Sequence, residues 1–426
     1  MEHTLKMPVK EIEETAVLSN AHSTRVTLGY LFFTFFKVGL VAFGGHMALI
    51  SVVQRMMVEK DKILEDEVIL DSIGVASFLP GPLAVNVVGQ IGFHLRKTSG
   101  AIVSTVAVIL PAFLIILLVA WQYFTHQQGT SWEKATAYIA GSVSAIILAT
   151  GVQLFKKEVQ QNTKKMLLFA AALLLLLAFS NYFVTVGVLI AGGGAGFLMQ
   201  LQGGKKTIDK NRPARLKSEP GSKLVTAVTN GLILLLGINQ VLFLSSISRQ
   251  ISPVQLRILS IFGGISLSLF GGGYVMIPIM ESLFVKDLHW LSSKEFVDAI
   301  AFSQATPGPI LISAAFIGYK VSGVAGAVLG TIAIFAPSVF LVIRVSRFVN
   351  RYKENMVLMN MLSGIKTVVV ALILVSAWRL LAADKLNVYV VAILMVSFVL
   401  NFKYKVSPVY IVAGAILFGV IKNLMH

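Results

Sequence analysis

The stretches "SFLPGPLAV" at 77–85 and "QATPGPILI" at 304–312 each place Pro-Gly-Pro in the middle of an apolar run. Proline removes a backbone donor and clashes with the turn before it. The preceding residue is pushed out of the α region, and a glycine between two prolines frees the chain for a sharp break. The pattern predicts a helix that stops near Leu79 and restarts with Pro82 as a first-turn residue, and the same at Pro307-Gly308-Pro309. A restarted helix presents unpaired N–H groups, those of Leu83, Ala84 and Val85 in one copy and of Ile310, Leu311 and Ile312 in the other. These groups carry the positive end of the helix dipole and form a ready anion site.

The surrounding composition is that of a membrane. Of 426 residues, 56% are hydrophobic and only 13% charged, against a usual charged share of roughly 25%. The net charge of +16 is spread over short connections rather than gathered into a basic stripe with aromatics. It reads as topogenic, and nucleic acid is not an expected partner. The absence of Cys excludes disulfides, thiolate metal sites and cysteine nucleophiles. Residues 1–24 are polar and lack the apolar core of a signal peptide, so they read as a cytoplasmic tail. Apolar runs near 26–57, 68–94, 100–123, 135–155, 165–181, 182–200, 224–245, 254–285, 295–320, 323–346, 357–382, 386–402 and 406–424 predict about thirteen spans. On this reading Pro80 and Pro307 lie near the middle of the bilayer, roughly 18 Å into their spans.

The strongest signal is internal. With "FGGH" at 43 set on "FGGG" at 270, an offset of 227 residues also brings Leu64 onto Leu291, Asp71 onto Asp298, Ile73 onto Ile300 and the two Pro-Gly-Pro motifs together. The register then slips to 226, where Gly92 meets Gly318 and Pro111 meets Pro337. Gly, Pro and Asp carry the match, which shared apolar composition would not produce. The organisation predicted is a first repeat over 25–201, a cytoplasmic linker at 202–223, an unpaired connector at 224–245 and a second repeat over 246–426. An odd number of crossings separates the copies and so inverts them. Lys156, Lys157, Lys164 and Lys165 mark the tail side in the first half. In the second half Arg344, Arg347, Arg351 and Lys353 enrich the loop equivalent to the nearly neutral 124–134. That swap is what inversion under the positive-inside rule requires. The tail and linker then face the cytoplasm, the C-terminus faces out, and the loop 58–67 lies opposite the tail.

Other residues are candidates by chemistry. Gly44-Gly45-His46 and Gly271-Gly272-Gly273 mark second breaks, open to either bending or close helix contact. His46 has no acidic or His neighbour in sequence, so no metal site is expected there. Lys37 is a lone cation inside a span, expensive unless paired or facing water. Asp71 and Asp298 stand at matching places ahead of the breaks and read either as dipole partners or as proton-coupling groups. Lys366 and Glu281 are further charges inside apolar runs. "QGGKKTID" lacks the spacing of a phosphate loop. No nucleophile–base pair suggests an enzyme, and no cofactor is expected.

At these residues the chain resembles the chromate ion transporter family in its long, two-domain form. The resemblance rests on FGG (43–45), the acidic loop before Asp71, PGP (80–82) and IG (91–92). In the second half it rests on FGGGYVMIP (270–278), Trp290, QATPGP (304–309), FIGY (316–319), GVAGA (323–327) and FAPS (335–338). It implies efflux of chromate across the plasma membrane, with sulfate as a related oxyanion. The first half departs from the family pattern. Ser77 stands where Gln is usual, "LAV" precedes Asn86 where hydroxyl residues are usual, and His46 replaces a Pro. The expectation is an all-α secondary transporter with inverted repeats. Backbone N–H groups after Pro82 and Pro309 cradle the dianion, Ser77, Asn86, Gln90, Gln304 and Ser313 add hydrogen bonds, and Lys37 balances charge. An anion channel, or a transporter of another small anion, is the rival reading. The oligomeric state is left open, a homodimer among the options.

Overall fold

The computed structural model describes residues 26–43, 46–77, 79–125, 136, 138–179, 182–202, 254–269, 273–352, 356–382 and 387–425. The expected tail, the linker beyond its first residue and the connector 224–245 lie outside the described residues. Every described element is helical. Among the described residues five helices are long and apolar enough to cross a membrane: Leu83–Thr125, Ile139–Glu158, Tyr182–Met199, Ile310–Arg344 and Met359–Ala382.

The first half opens with α1 (Leu28–Val41), capped by the Thr27 hydroxyl, which accepts from the Tyr30 N–H at 3.0 Å. After the Gly-Gly break comes α2 (His46–Gln54), which runs into a π-helical turn, Arg55–Lys60. Helix α3 (Asp66–Ala76) leads to the first Pro-Gly-Pro, and α4 (Leu83–Thr125) follows it. Non-helical Arg96 and Lys97 divide α4 into arms 83–95 and 98–125. Then come α5 (Ile139–Glu158), α6 (Thr163–Ala178) and α7 (Tyr182–Gln202). The second half repeats the order. Helix α8 (Val254–Leu267) is followed by a 3-10 turn (Gly273–Val275), α9 (Met276–Met280) and a π turn (Glu281–Asp287). Helix α10 (Ser293–Ala305), with a Ser292–Glu295 capping box, leads to the second Pro-Gly-Pro. A 3-10 turn (Ile310–Ile312) and α11 (Ser313–Tyr352) follow, then α12 (Met356–Ala382), α13 (Val388–Phe402) and α14 (Pro408–Leu424).

The backbone repeats residue for residue. Lys62 and His289 both have φ 51°, Gly81 has φ 108° and Gly308 φ 107°, and the division of α4 at Lys97 (φ 52°) recurs in α11 at Gly323 (φ 57°). The slip in register has a physical cause. The second copy restarts with three residues of 3-10 helix where the first is α-helical from Leu83. A 3-10 residue rises about 0.5 Å more than an α residue, so three gain about 1.5 Å, the rise of one α-helical residue.

Contacts overturn the expectation that each broken run crosses straight through. The Tyr30 hydroxyl, at the start of α1, donates to the Asp61 carboxylate just past the π turn. In the second half the Phe262 ring packs tilted against Phe284 at 5.0 Å, and Arg257 lies over Trp290 at 6.0 Å. Lys320 Nζ meets Glu295 Oε1 at 2.7 Å while Phe302 meets Phe316 at 5.9 Å, so α10 and the first arm of α11 run antiparallel. Val342 clusters with Val75 and Leu79, before the first Pro-Gly-Pro, and lies 3.6 Å from a Cβ placed on Gly89 beyond it. A straight helix would hold those two residues roughly 20 Å apart. Each break is therefore the tip of a helical hairpin with half-length arms, and the expected spans 26–57, 68–94, 254–285 and 295–320 are hairpins. The loop 58–67 lies at the end where α1 begins, not opposite it as expected.

A third reversal follows each Pro-Gly-Pro hairpin. A Cβ on Gly92 would stand 2.4 Å from the Gly100 carbonyl oxygen, and one on Gly318 2.2 Å from that of Gly326. Side chains there would force the arms of α4 and of α11 apart. The second arm of α4 begins at the base of the first half's hairpins. It ends with Phe124 stacked on Tyr319 at 6.1 Å and Lys320 5.0 Å above the Phe124 ring, at the base of the second half's. Helices α5–α7 and α12–α14 pack on one another as an outer bundle, with α12 against α5, α6 and α7. This bundle meets the core through α10 and the segment 273–287.

Candidate functional site

The hairpin tips of the two halves hold each other. The Gly81 N–H donates to the Leu269 carbonyl at 2.7 Å, and the Gly308 N–H donates to the Ala42 carbonyl at 3.0 Å. Leu269 and Ala42 are themselves 227 residues apart, so the exchange is reciprocal, as across a two-fold axis. The same exchange recurs in packing. A Cβ on Gly81 would strike Ser338 Cβ at 2.3 Å, and one on Gly308 would press Ala112 Cβ at 3.1 Å. Positive φ and close approach together leave only glycine at both positions.

A cavity of about 40 Å³ lies between the tips. A water molecule needs roughly 10–15 Å³ on this measure, so the space is that of about three waters. From the first half it is lined by Leu49, Pro82, Leu83 and Ala84. The second half contributes Gly273, Tyr274, Ser303, Gln304, Thr306, Gly308, Pro309, Ile310 and Leu311, and α14 adds Pro408. Two helix beginnings thus converge here, and the opening N–H groups of a helix have no acceptor within it.

The side chains differ in how far they are committed. Ser303 Oγ donates to the Ala299 carbonyl at 2.7 Å, and Thr306 Oγ1 to that of Ser303 at 3.0 Å. Gln304 is 6% exposed, and neither Nε2 nor Oε1 has a hydrogen-bond partner. A buried polar atom left unpaired costs about 1–3 kcal/mol. Outside the lining, Asn86 donates Nδ2 to the Pro80 carbonyl at 3.2 Å but leaves Oδ1 unpaired, and Ser313 Oγ has no partner. None of the lining residues is charged.

Several expected members stand elsewhere. Lys37 is exposed on α1 and does not line the cavity, so the expected counter-charge is not there. Ser77 turns its hydroxyl back to the Ile73 carbonyl at 2.7 Å. Gln90 is half-buried in the first arm of α4, outside the lining. Pro80, Gly81 and Pro307 shape the tips without lining the space. Gly44, Gly45, Gly271, Gly272 and the His46 side chain lie outside the described residues. Gly273 does line the cavity, where a Cβ would meet Ile310 Cγ2 at 2.4 Å. Asp71 is exposed on α3, whereas Asp298 is buried and accepts from the Tyr123 hydroxyl at 2.8 Å. Tyr274 and Thr306 escaped the sequence reading although both adjoin its motifs. Leu49 and Pro408 carried no signal at all.

A sequence profile described as chromate transporter matches residues 29–197 and again 256–420. The chain belongs to this family. Both matched regions begin at the same point of their repeat, and together they cover most of a multi-pass membrane protein. A chromate transport protein of Cupriavidus metallidurans is 26% identical over 97% of this chain and 98% of its own length. An uncharacterized transporter of Methanocaldococcus jannaschii is 29% identical over 88% of this chain and 89% of its own. A probable chromate transport protein of Synechococcus elongatus is 27% identical over 78% of this chain and 79% of its own. No solved structure matches the chain.

Proposed function

We propose that this chromate transporter family member is a secondary active transporter that exports chromate, with sulfate as a related substrate, and that the cavity between the Pro-Gly-Pro tips is its anion seat. One observation carries the reading: Gln304 is buried with both polar atoms unpaired, facing a space where two helix N-termini converge. The N–H groups of Leu83, Ala84, Ile310 and Leu311 supply the positive potential. The Gln304 amide donates to an oxyanion oxygen, and Asn86 and Ser313 support the lining from behind. With no fixed cation, the seat holds an anion by dipoles alone. At about 40 Å³ the space is too small for chromate. Admitting a five-atom anion requires the tips to separate, which alternating access supplies.

Inverted repeats and a cytoplasmic N-terminus are part of the proposal. Supporting them, the hairpins of the two halves are based at opposite ends of the second arm of α4 while their tips touch. Lys156 lies 4.9 Å over Phe402, which ties the C-terminal ends of α5 and α13 together. The end so assembled with Arg96, Lys97, Lys156, Lys157, Lys164, Lys165 and Arg344 is the more basic one and faces the cytoplasm. Coupling to protons falls to Asp298, buried at the opposite end, with Asp71 as its exposed counterpart.

Isothermal calorimetry of Gln304→Ala with chromate tests the seat. Loss of one charge-assisted hydrogen bond, about 1.5–3 kcal/mol, weakens binding at least about tenfold, while Ser77→Ala leaves it unchanged. Wild-type affinity in Gln304→Ala would move the seat elsewhere. A channel would instead show non-saturating flux in proteoliposomes that never runs against a gradient.

A further inference from the structure

A second buried polar site lies outside the seat, where the core meets the outer bundle. Glu281 is the first residue of the second π turn and is 6% exposed. Its Oε1 lies 3.7 Å from Lys286 Nζ, and its Oε2 accepts from the Ser376 hydroxyl of α12 at 3.5 Å. Arg379, one turn further along α12, adds positive charge but gives its guanidinium to the Leu176 and Phe179 carbonyls. The other charged groups nearby have partners. Asp287 faces Tyr182 of α7, Glu295 of α10 holds Lys320, and Arg257 of α8 covers Trp290.

We propose that Glu281 is a proton-binding site whose occupancy sets whether the segment 273–287 stays docked on α12. As a carboxylate buried against α12, Glu281 has one cation of its own hairpin at 3.7 Å and one long hydrogen bond from Ser376 to replace its hydration, so the charge is costly there. One proton taken from the outer aqueous phase onto a carboxylate oxygen removes that charge and keeps the side chain as a partner for Ser376. The protonated hairpin therefore stays docked, and loss of the proton favours its release from α12. The matching residue of the first half is Gln54, which cannot titrate and donates to Asp66 within its own half at 2.6 Å. Only one face of the repeat pair therefore carries the switch. π turns recur where helices serve a function rather than packing alone.

Only the transport readout of this proposal rests on chromate being the substrate, so the test has one arm without it. The chain has no native Cys, and spin labels at exposed His289, beside the segment, and at exposed Trp378 of α12 report the distance between the two. Without substrate, the wild-type distance distribution shifts toward a longer component as pH rises, and Glu281→Gln lacks that component at every pH. In proteoliposomes, wild-type chromate efflux carries a second external-pH midpoint beside that of Asp298, with site occupancy changing tenfold per pH unit on the basic side of that midpoint. Glu281→Gln lacks the second midpoint and keeps the first. Lys286→Gln, which removes the partner cation, moves the midpoint to higher pH and serves where Glu281→Gln fails to fold. A pH-independent wild-type distance, or a Lys286→Gln midpoint equal to wild type, overturns the proposal. A pH-shifted distance without chromate transport would retain the switch and reject the substrate.

Discussion

Gln304 and Ser77 occupy matching positions, three residues ahead of their Pro-Gly-Pro, yet they do different things. Ser77 can reach its own helix carbonyl and does so, which closes the turn and leaves nothing for a ligand. Gln304 is too long for that bond, and its amide extends into the cavity instead. Side-chain length thus makes the second tip the richer in donors. The same asymmetry separates the two aspartates, since Asp71 is exposed and Asp298 accepts from Tyr123 out of water. If Asp298 couples transport to protons, Asp298→Asn abolishes efflux driven by a pH gradient while chromate affinity in calorimetry stays near wild type. Asp71→Asn leaves both unchanged. An Asp298→Asn protein with full pH-driven efflux would reduce that residue to a structural partner of Tyr123.

At the scale of elements, each Pro-Gly-Pro is a hairpin tip. Replacing Pro307-Gly308-Pro309 by three alanines removes the positive-φ reversal that Gly308 provides. A helix terminus contributes about 0.3–2 kcal/mol to an anion and each charge-assisted N–H bond roughly 1.5–3 kcal/mol. Losing one terminus with two such bonds costs at least about tenfold in chromate affinity. The same change at Pro80-Gly81-Pro82 costs less in affinity, because Ser77 offers that tip no free donor. Near-wild-type affinity in both folded variants would leave the tips a purely architectural role. The breaks themselves were legible in the sequence, because Pro and Gly act locally and the repeat printed them twice. The fold-back was not. A proline fixes where a helix ends but not where the next one goes, and that direction is set by Tyr30 with Asp61 and Lys320 with Glu295, pairs remote in sequence. The seat was half legible for the same reason. The N–H groups follow from the motif, whereas Tyr274 and Pro408 arrive by packing, and Lys37 stays outside the lining, a placement periodicity alone does not give because it leaves open which way the helix faces.

For the whole molecule, the hairpins change the expected membrane topology at one testable place. On the proposed orientation, with the first two hairpins returning to the side they left, 58–66 is expected on the cytoplasmic face with the linker, and the next outward connection is 124–134. A membrane-impermeant thiol reagent applied to intact cells should label an engineered cysteine at Gly129 but not one at Lys62 or Lys210. External labelling at Lys62 would restore straight-through spans. Parity is preserved either way, since each half loses two crossings, so the inversion read from the charges stands on the same footing.

The uncharged lining of the cavity bears on the selectivity of the proposed seat. A fixed lysine would attract every dianion by its charge and favour the most compact. Dipoles arranged without a cation recover only part of what water gives an ion, so each anion pays its own dehydration. Larger oxyanions, whose charge is spread over longer bonds, give up water more easily. Such a seat ranks anions by hydration rather than by charge, and places chromate ahead of the smaller, more tightly hydrated sulfate even though the two share shape and valence.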